Sequence, residues 1–357
     1  MAKFTARYVV QTLVFLFLIS VLYGVWEVNR TLYRPIKLDN DTHTVLVGQG
    51  ETLTSVVMRL ADKGIVRHPK WLLVYARWKN QTHIRAGEYE LQQGITGEAL
   101  LQKLASGKVI QYQVTLIEGS TFSDAMKLLL SQKKLIDDVT HLKDEDYKKL
   151  LGFERNKAEG YFFPDTYSFV SGMKVSDVLR VAHGRMKSIL EEEWKNRAQN
   201  LPYKTSYEAL TMASIIEKET GAAHERKQIS GVFVRRMQKG MKLQTDPTVI
   251  YGLGAGFTGN LKRSHLKEPS PWNTYVIDGL PPTPIAMPGR AAINAALHPA
   301  EGNTLFFVAK GDGTHTFSET LVQHQNAINE YQLRKNDNYR SLPPPAAVEQ
   351  QQQEPAP

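Results

Sequence analysis

TVLVGQGETLTSVVMRLADKGIV, residues Thr44–Val66, carries two periods in succession. Val45 and Val47 stand two apart, as on one face of a half-buried strand. Gly50-x-Thr52 then breaks the pattern, and apolar residues recur at helical spacing. Glycine suits the turn, and a threonine just ahead of an apolar-periodic run suits a helix N-cap. The stretch reads as strand, turn, cap and amphipathic helix. QVTLIEGSTFSDAMKLLLSQKKLI, Gln113–Ile136, repeats the plan, with Val114 and Leu116 alternating and Gly119-x-Thr121 at the turn. A weaker third copy runs from Tyr89 through Gly94-Ile95-Thr96 into ALLQKLASGK. Strand–turn–helix units of this kind are common in proteins of many functions. Small βα modules that hold glycan chains are built the same way, and the spacing alone does not choose between the two.

Toward the N-terminus, Tyr8–Trp26 reads YVVQTLVFLFLISVLYGVW, 19 residues without a charge. About 20 apolar residues cross a bilayer as one helix, and Tyr8, Tyr23 and Trp26 stand where aromatic rings favour the interface. A cleaved signal peptide would have a shorter apolar core and a small-x-small site after it, so an uncleaved anchor at 8–26 is expected. Residues 1–7 then form a short leader and residues 27–43 a linker. Lys3 and Arg7 precede the helix, while Arg30, Arg34 and Lys37 follow it. The expectation is an N-in anchor with an exported body. The far end, Leu342–Pro357, reads LPPPAAVEQQQQEPAP; it has too few apolar residues to offset chain entropy and is expected to be a disordered tail. Between about 145 and 335 helical and strand-like segments interleave, so an α+β body is expected.

Composition narrows the function classes. The chain has 357 residues, 42% of them hydrophobic and 22% charged, which suits one large or two smaller globular domains. With no cysteine, disulfides, thiol nucleophiles, Cys-ligated zinc and iron–sulfur clusters are excluded. A net charge of +8 suits an anionic polymer or a lipid surface, and no clustered Arg run points to nucleic acid. Gly254-x-Gly256-x-x-Gly259 matches a dinucleotide fingerprint by letters, but Pro269 and Pro271 follow too soon for the helix that motif needs. No P-loop or G-x-S-x-G occurs. His224-Glu225 lacks the second histidine of a zinc-protease helix, and the ten histidines are scattered. No metal site or cofactor is called for, which leaves carboxylate chemistry as the economical enzyme reading.

One carboxylate stands out. KTSYEALTMASIIEKETG, Lys204–Gly221, has a capping box at Thr205 and Glu208, a helix of about four turns, and Gly221 as a stop. At about 100° per residue, Met212, Ile215 and Ile216 lie within about 60° of Glu219, while Glu217 falls on nearly the opposite side. A carboxyl held against apolar side chains resists ionisation, as a general acid must at neutral pH. The plainer alternative is an ordinary last-turn glutamate in a solvated E-K-E pattern. Downstream, Asp246-Pro247 reads as a turn and Thr248–Tyr251 as strand-like. SPWNTYVIDGLPPTPIAMPG, Ser270–Gly289, is a proline-rich loop carrying Trp272, Asn273 and Tyr275, which would suit a sugar cleft or merely cover a core edge. His315 and Phe317 are two apart and share one side of a strand.

Together, EGYFFPDTY (Glu159–Tyr167), MASIIEKET (Met212–Thr220), LQTDPTVIYG (Leu243–Gly252), Asn273–Tyr275, GLPP and PG (Gly279–Pro282, Pro288–Gly289) and His315–Phe317 resemble the membrane-anchored endolytic murein transglycosylases, the YceG-like family. The resemblance runs over about residues 8–335. It implies a LysM-like module over 44–110 and an α+β catalytic domain over 111–335, followed by the tail at 336–357. It maps the family's catalytic glutamate onto Glu219, as the helical-face argument does independently. It implies Gln244, Asp246, Asn273, Tyr275 and His315 as substrate-binding candidates, to which the aromatic, proline-rich loop adds Trp272; no metal and no cofactor are expected. The implied activity is cleavage of the MurNAc–GlcNAc bond within nascent peptidoglycan strands at the bacterial inner membrane, leaving 1,6-anhydro ends. Peptidoglycan synthases are implied as partners. Two rival readings are a water-using muramidase with a second carboxylate, Asp246 or Asp165, and a membrane-anchored glycan-binding scaffold without catalysis.

Overall fold

A computed structural model describes residues 2–332 apart from 39, 154 and 156, so the Pro/Gln-rich tail at 336–357 lies outside the described residues. In chain order the elements are α1 (Ala2–Tyr33), β1 (Thr42–Val47), α2 (Leu53–Asp62), α3 (Pro69–Trp78), β2 (Gly87–Gln92), α4 (Gly97–Ser106), β3 (Tyr112–Thr115) and α5 (Phe122–Leu130). They continue with β4 (Leu135–Ile136), α6 (Asp144–Leu151), β5 (Thr166–Phe169), β6 (Met173–Lys174), α7 (Val175–Lys195), α8 (Ser206–Glu219), α9 (Arg226–Gln238) and α10 (Asp246–Leu253). The series ends with α11 (Arg290–Leu297), β7 (Phe306–Ala309), β8 (His315–Ser318) and α12 (Leu321–Tyr331). Four two-stranded pairings join β1 to β2, β3 to β5, β4 to β6 and β7 to β8. The mixture is the α+β class expected.

The chain forms two compact units. The smaller takes in Met1–Val114 with Gln132–Asp137 and Ser168–Val175; the larger is Thr115–Ser131, Asp138–Tyr167 and Ser176–Pro357. In the smaller unit, α1 includes a 24-residue stretch, Val10–Tyr33, long and apolar enough to cross a membrane. Its side chains are exposed nearly all round, Phe17 and Leu22 by about two-thirds (67% and 68%), as a helix solvated by lipid requires. Residues 27–43 are not the free linker expected. The helix continues to Tyr33, Leu32 and Leu38 enter the core, Glu27 Oε2 lies 3.0 Å from His68 Nε2, and the Ile36 amide donates to the Ile95 carbonyl at 2.8 Å. Those apolar residues are too sparse to show a period, so the segment reads as a tether until α3 and α4 are placed against it.

All three G-x-T triplets fold as expected. Gly50, Gly94 and Gly119 take φ of 74°, 83° and 74°, where an L side chain would be strained. Thr52, Thr96 and Thr121 each cap the following helix by accepting the third amide, from Ser55, Ala99 and Asp124. Removing any one cap by Thr→Ala is expected to lower stability by about 1 kcal/mol, read as a shift in urea midpoint at constant slope. The first and third copies pair their strands with each other, antiparallel, Thr42 opposite Gln92 and Val47 opposite Gly87. Val45, Val47, Tyr89 and Leu91 point inward onto α2, α3 and α4.

In the larger unit, α8 runs through the centre. Tyr207 and every residue from Ala209 to Ile216 are buried, against α9, α10 and α11. The helix is therefore not amphipathic, as its sequence suggested, but buried on all sides for most of its length. Helix α8 opens as expected, the Thr205 hydroxyl accepting the Glu208 amide, but the Glu208 carboxylate reaches one residue further back, to the Lys204 amide at 2.6 Å. It ends before Gly221. Thr220 turns extended (φ −145°, ψ 135°) and its hydroxyl accepts the Ala222 amide at 2.9 Å. Residues Thr248–Tyr251 are helical within α10, not strand-like. Pro247 occupies the first turn, where its missing N–H costs nothing, and this outweighs the β-branched run that follows.

Candidate active site

Glu219 is the last residue of α8 and lines a cleft of about 520 Å³ in the larger unit. Gln244, Thr245 and Asp246 at the start of α10 line it with Tyr275, as do Arg236 of α9, Phe306 to Ala309 of β7, His315 of β8 and His324 of α12. Among the described residues, the only hydrogen bond to the Glu219 carboxyl comes from the Thr245 hydroxyl. Burial pushes this carboxyl up from 4.5 to about 7, against the pull of the Thr245 bond and with the Asp246 charge adding to the rise. Thr245 is itself fixed. Its amide donates to Thr274 Oγ1 at 3.1 Å, and the Thr248 and Thr274 hydroxyls lie 2.8 Å apart; all three threonines are buried.

Glu217, two residues earlier, has a different environment. It accepts the Gly289 amide at 2.9 Å and the Arg226 guanidinium at 3.3 Å. It is not a solvated residue, as the alternative reading of E-K-E supposed; its side chain is 6% exposed. Its donors bind the charged form, so Glu217 is occupied structurally while Glu219 keeps its carboxyl toward the cleft. Burial raises Glu217 as well, with Gly289 and Arg226 opposing it.

The remaining candidates divide. Gln244, Asp246, Tyr275 and His315 line the cleft with Glu219; Trp272 and Asn273 are not among its lining residues. Asp246 accepts the Tyr275 hydroxyl at 2.6 Å, and burial followed by this bond pushes the Tyr275 phenol well above its usual range. Asn273 is buried (1% exposed), its amide donating to the His265 and Glu268 carbonyls and its oxygen accepting the Tyr275 amide at 3.0 Å. It shapes the loop that presents Tyr275. Trp272 donates from its indole to Thr283 at 2.9 Å and packs on Tyr251. The proline-rich loop thus covers a core edge with this half and serves the cleft through Tyr275. Asp165 pairs with Arg185 at 2.6 Å and does not line the cleft.

Several groups escaped the sequence reading because they meet only in three dimensions. Thr245 lies 26 residues from Glu219. Glu225, buried, accepts the His315 backbone amide at 2.8 Å and lies 2.7 Å from its Nδ1, so it holds His315 through backbone and ring at once. A second buried carboxyl, Glu159, accepts the Phe122 amide at the start of α5 at 2.9 Å and the Tyr251 hydroxyl at 3.2 Å; burial pushes it to about 7. It does not line the cleft.

Comparison with known proteins places the chain in a family. The YceG-like family matches residues 45–330. An endolytic murein transglycosylase of Bacillus subtilis is 30% identical over 337 residues, covering 89% of this chain and 92% of that protein. One from Streptococcus pneumoniae is 28% identical over 361 residues, covering 91% of this chain and 65% of that longer protein. The 2.6 Å crystal structure of a yceG-like protein from Listeria monocytogenes superposes with a TM-score of 0.52 at 28% identity, over 80% of this chain and 98% of that one. The family match covers most of the chain, from within β1 to within α12, and the chain belongs to the YceG-like family.

Proposed function

We propose that this chain is an endolytic murein transglycosylase in which Glu219 alone serves as acid and then base. The observation that carries the reading is a cleft carboxyl pushed to about 7, with the Thr245 hydroxyl as its one hydrogen-bond partner among the described residues. Protonated Glu219 gives its proton to the glycosidic oxygen between N-acetylmuramic acid and N-acetylglucosamine, and that C–O bond breaks. Carboxylate Glu219 then takes the proton from the muramyl C6 hydroxyl, whose oxygen bonds to C1 and closes the 1,6-anhydro ring. The proton account balances without water. A hydrolase needs two carboxyls across the bond, whereas an internal nucleophile needs one. Tyr275, His315 and Gln244 would position the sugar.

The presence of Asp246 in the same cleft favours one alternative, a water-using muramidase with Asp246 as its second carboxylate. End-group mass spectrometry of purified peptidoglycan, treated with the full-length protein in detergent, separates the two. Anhydro-muramyl ends made by the wild type and absent with Glu219→Gln support the lytic reading; reducing ends support the muramidase.

The architecture proposed with this activity is a leader at 1–7, a membrane-spanning α1 with its N-terminus cytoplasmic, a LysM-like glycan-holding module over 44–110, and the catalytic body over 111–335 facing the wall across the inner membrane. The two capped βα turns within it, at Thr52 and Thr96, support the module, and the lipid-suited surface of α1 supports the anchor. Cleavage would act on nascent strands close to the bilayer, alongside peptidoglycan synthases.

A further inference from the structure

Arg236 and His324 are unusual among the residues lining the cleft. Arg236 is 8% exposed, yet its side chain is held by a neutral amide, and among the described residues no salt bridge includes it. Its Nη2 donates to Gln244 Oε1 at 2.6 Å, its guanidinium carbon lies 5.5 Å from the Phe306 ring centre, and its Nε is buried without a partner. His324 stacks on the same Phe306 ring, centroids 5.1 Å apart at 20°, and its Nδ1 is likewise buried without a partner. Burial lowers the pKa of both groups, so the imidazole is neutral and can offer an Nδ1–H. Gln244, which holds the guanidinium, stands at φ +54°, a left-handed backbone that a glutamine rarely adopts. Its amide, donating to the Thr274 carbonyl at 3.1 Å, keeps it there.

A buried cation with an idle donor is costly unless a ligand completes it. Sugar hydroxyls and acetamides would leave its charge uncompensated. A carboxylate matches the planar guanidinium in both shape and charge. We propose that Arg236 and His324 form a carboxylate subsite within the Glu219 cleft, which grips a free carboxylate on the peptide stem of the glycan. The subsite rests on the reading of the cleft as a murein site. It would make stem-bearing strands better ligands than strands whose stems are neutralised.

The test uses full-length Glu219→Gln protein in lipid nanodiscs and soluble peptidoglycan strands, either untreated or with stem carboxyls amidated by carbodiimide and ammonia. Amidation is expected to weaken binding about tenfold. Adding Arg236→Gln should weaken binding of untreated strands by about the same factor and remove the response to amidation. Equal binding of both strands by the parent overturns the subsite without any Arg236 variant having to fold. So does an Arg236→Gln protein that still responds to amidation. Displacement by inorganic pyrophosphate, with no effect of amidation, assigns the anion as a phosphate and overturns the carboxylate assignment. Failure of the parent to bind either strand removes the glycan reading itself, and the subsite with it.

Discussion

Glu219→Gln is expected to slow glycan cleavage by about 100- to 10,000-fold, the range that a positioned acid–base contributes. It should do so without unfolding the protein, and above neutral pH it should stabilise it. A carboxyl with a folded pKa raised from 4.5 to about 7 binds more protons in the folded chain than in the unfolded one between those values. Its contribution is fully present below about 4.5 and is lost as pH rises through about 7. Glutamine carries no such charge. The variant should therefore melt like the wild type at pH 4 and higher than it at pH 8. The gain should fall short of the ~3 kcal/mol that the full shift represents, because the cleft opens to solvent. An inactive variant that melts lower at pH 8 would point to structural damage instead. Calorimetry at the two pH values, beside the cleavage assay, decides.

The second large effect is the alkaline limb of the rate. Because the acid form of Glu219 starts the reaction, kcat/KM is expected to be flat below about pH 7 and to fall tenfold per unit above it, about 100-fold by pH 9. Glu159, also near 7 but outside the cleft, is the necessary control. Glu159→Gln should keep the limb, while Glu219→Gln should show residual activity without one. A muramidase requiring a second carboxylate in its ionised form would add an acidic limb. Single-group chemistry has none.

Local signals were legible where a few neighbouring residues decide the outcome. Thr52, Thr96 and Thr121 announce their caps because a hydroxyl, a glycine turn and an apolar period lie within a few residues. Glu219 could be preferred over Glu217 because helical geometry relates it to Ile215 and Ile216 without any tertiary knowledge. The same geometry failed for the far side of α8, since burial by α9 and α11 is a property of the assembled unit. Thr248–Tyr251 misled because β-branched residues look strand-like, while Pro247 in a first helical turn looks like any Asp-Pro turn. The Glu225–His315 pair spans 90 residues, and Arg236 and His324, on different helices, meet at the Phe306 ring. No spacing rule reaches such contacts.

The central claim is that one carboxyl and an internal hydroxyl cut the strand, with no water consumed. Digestion of peptidoglycan by the full-length protein in H2(18)O, followed by mass spectrometry of the new ends, tests it directly. Unlabelled muramyl ends, lighter than hydrolytic ends by one water, are expected. One 18O at each new end would contradict it and make Asp246 the first residue to replace.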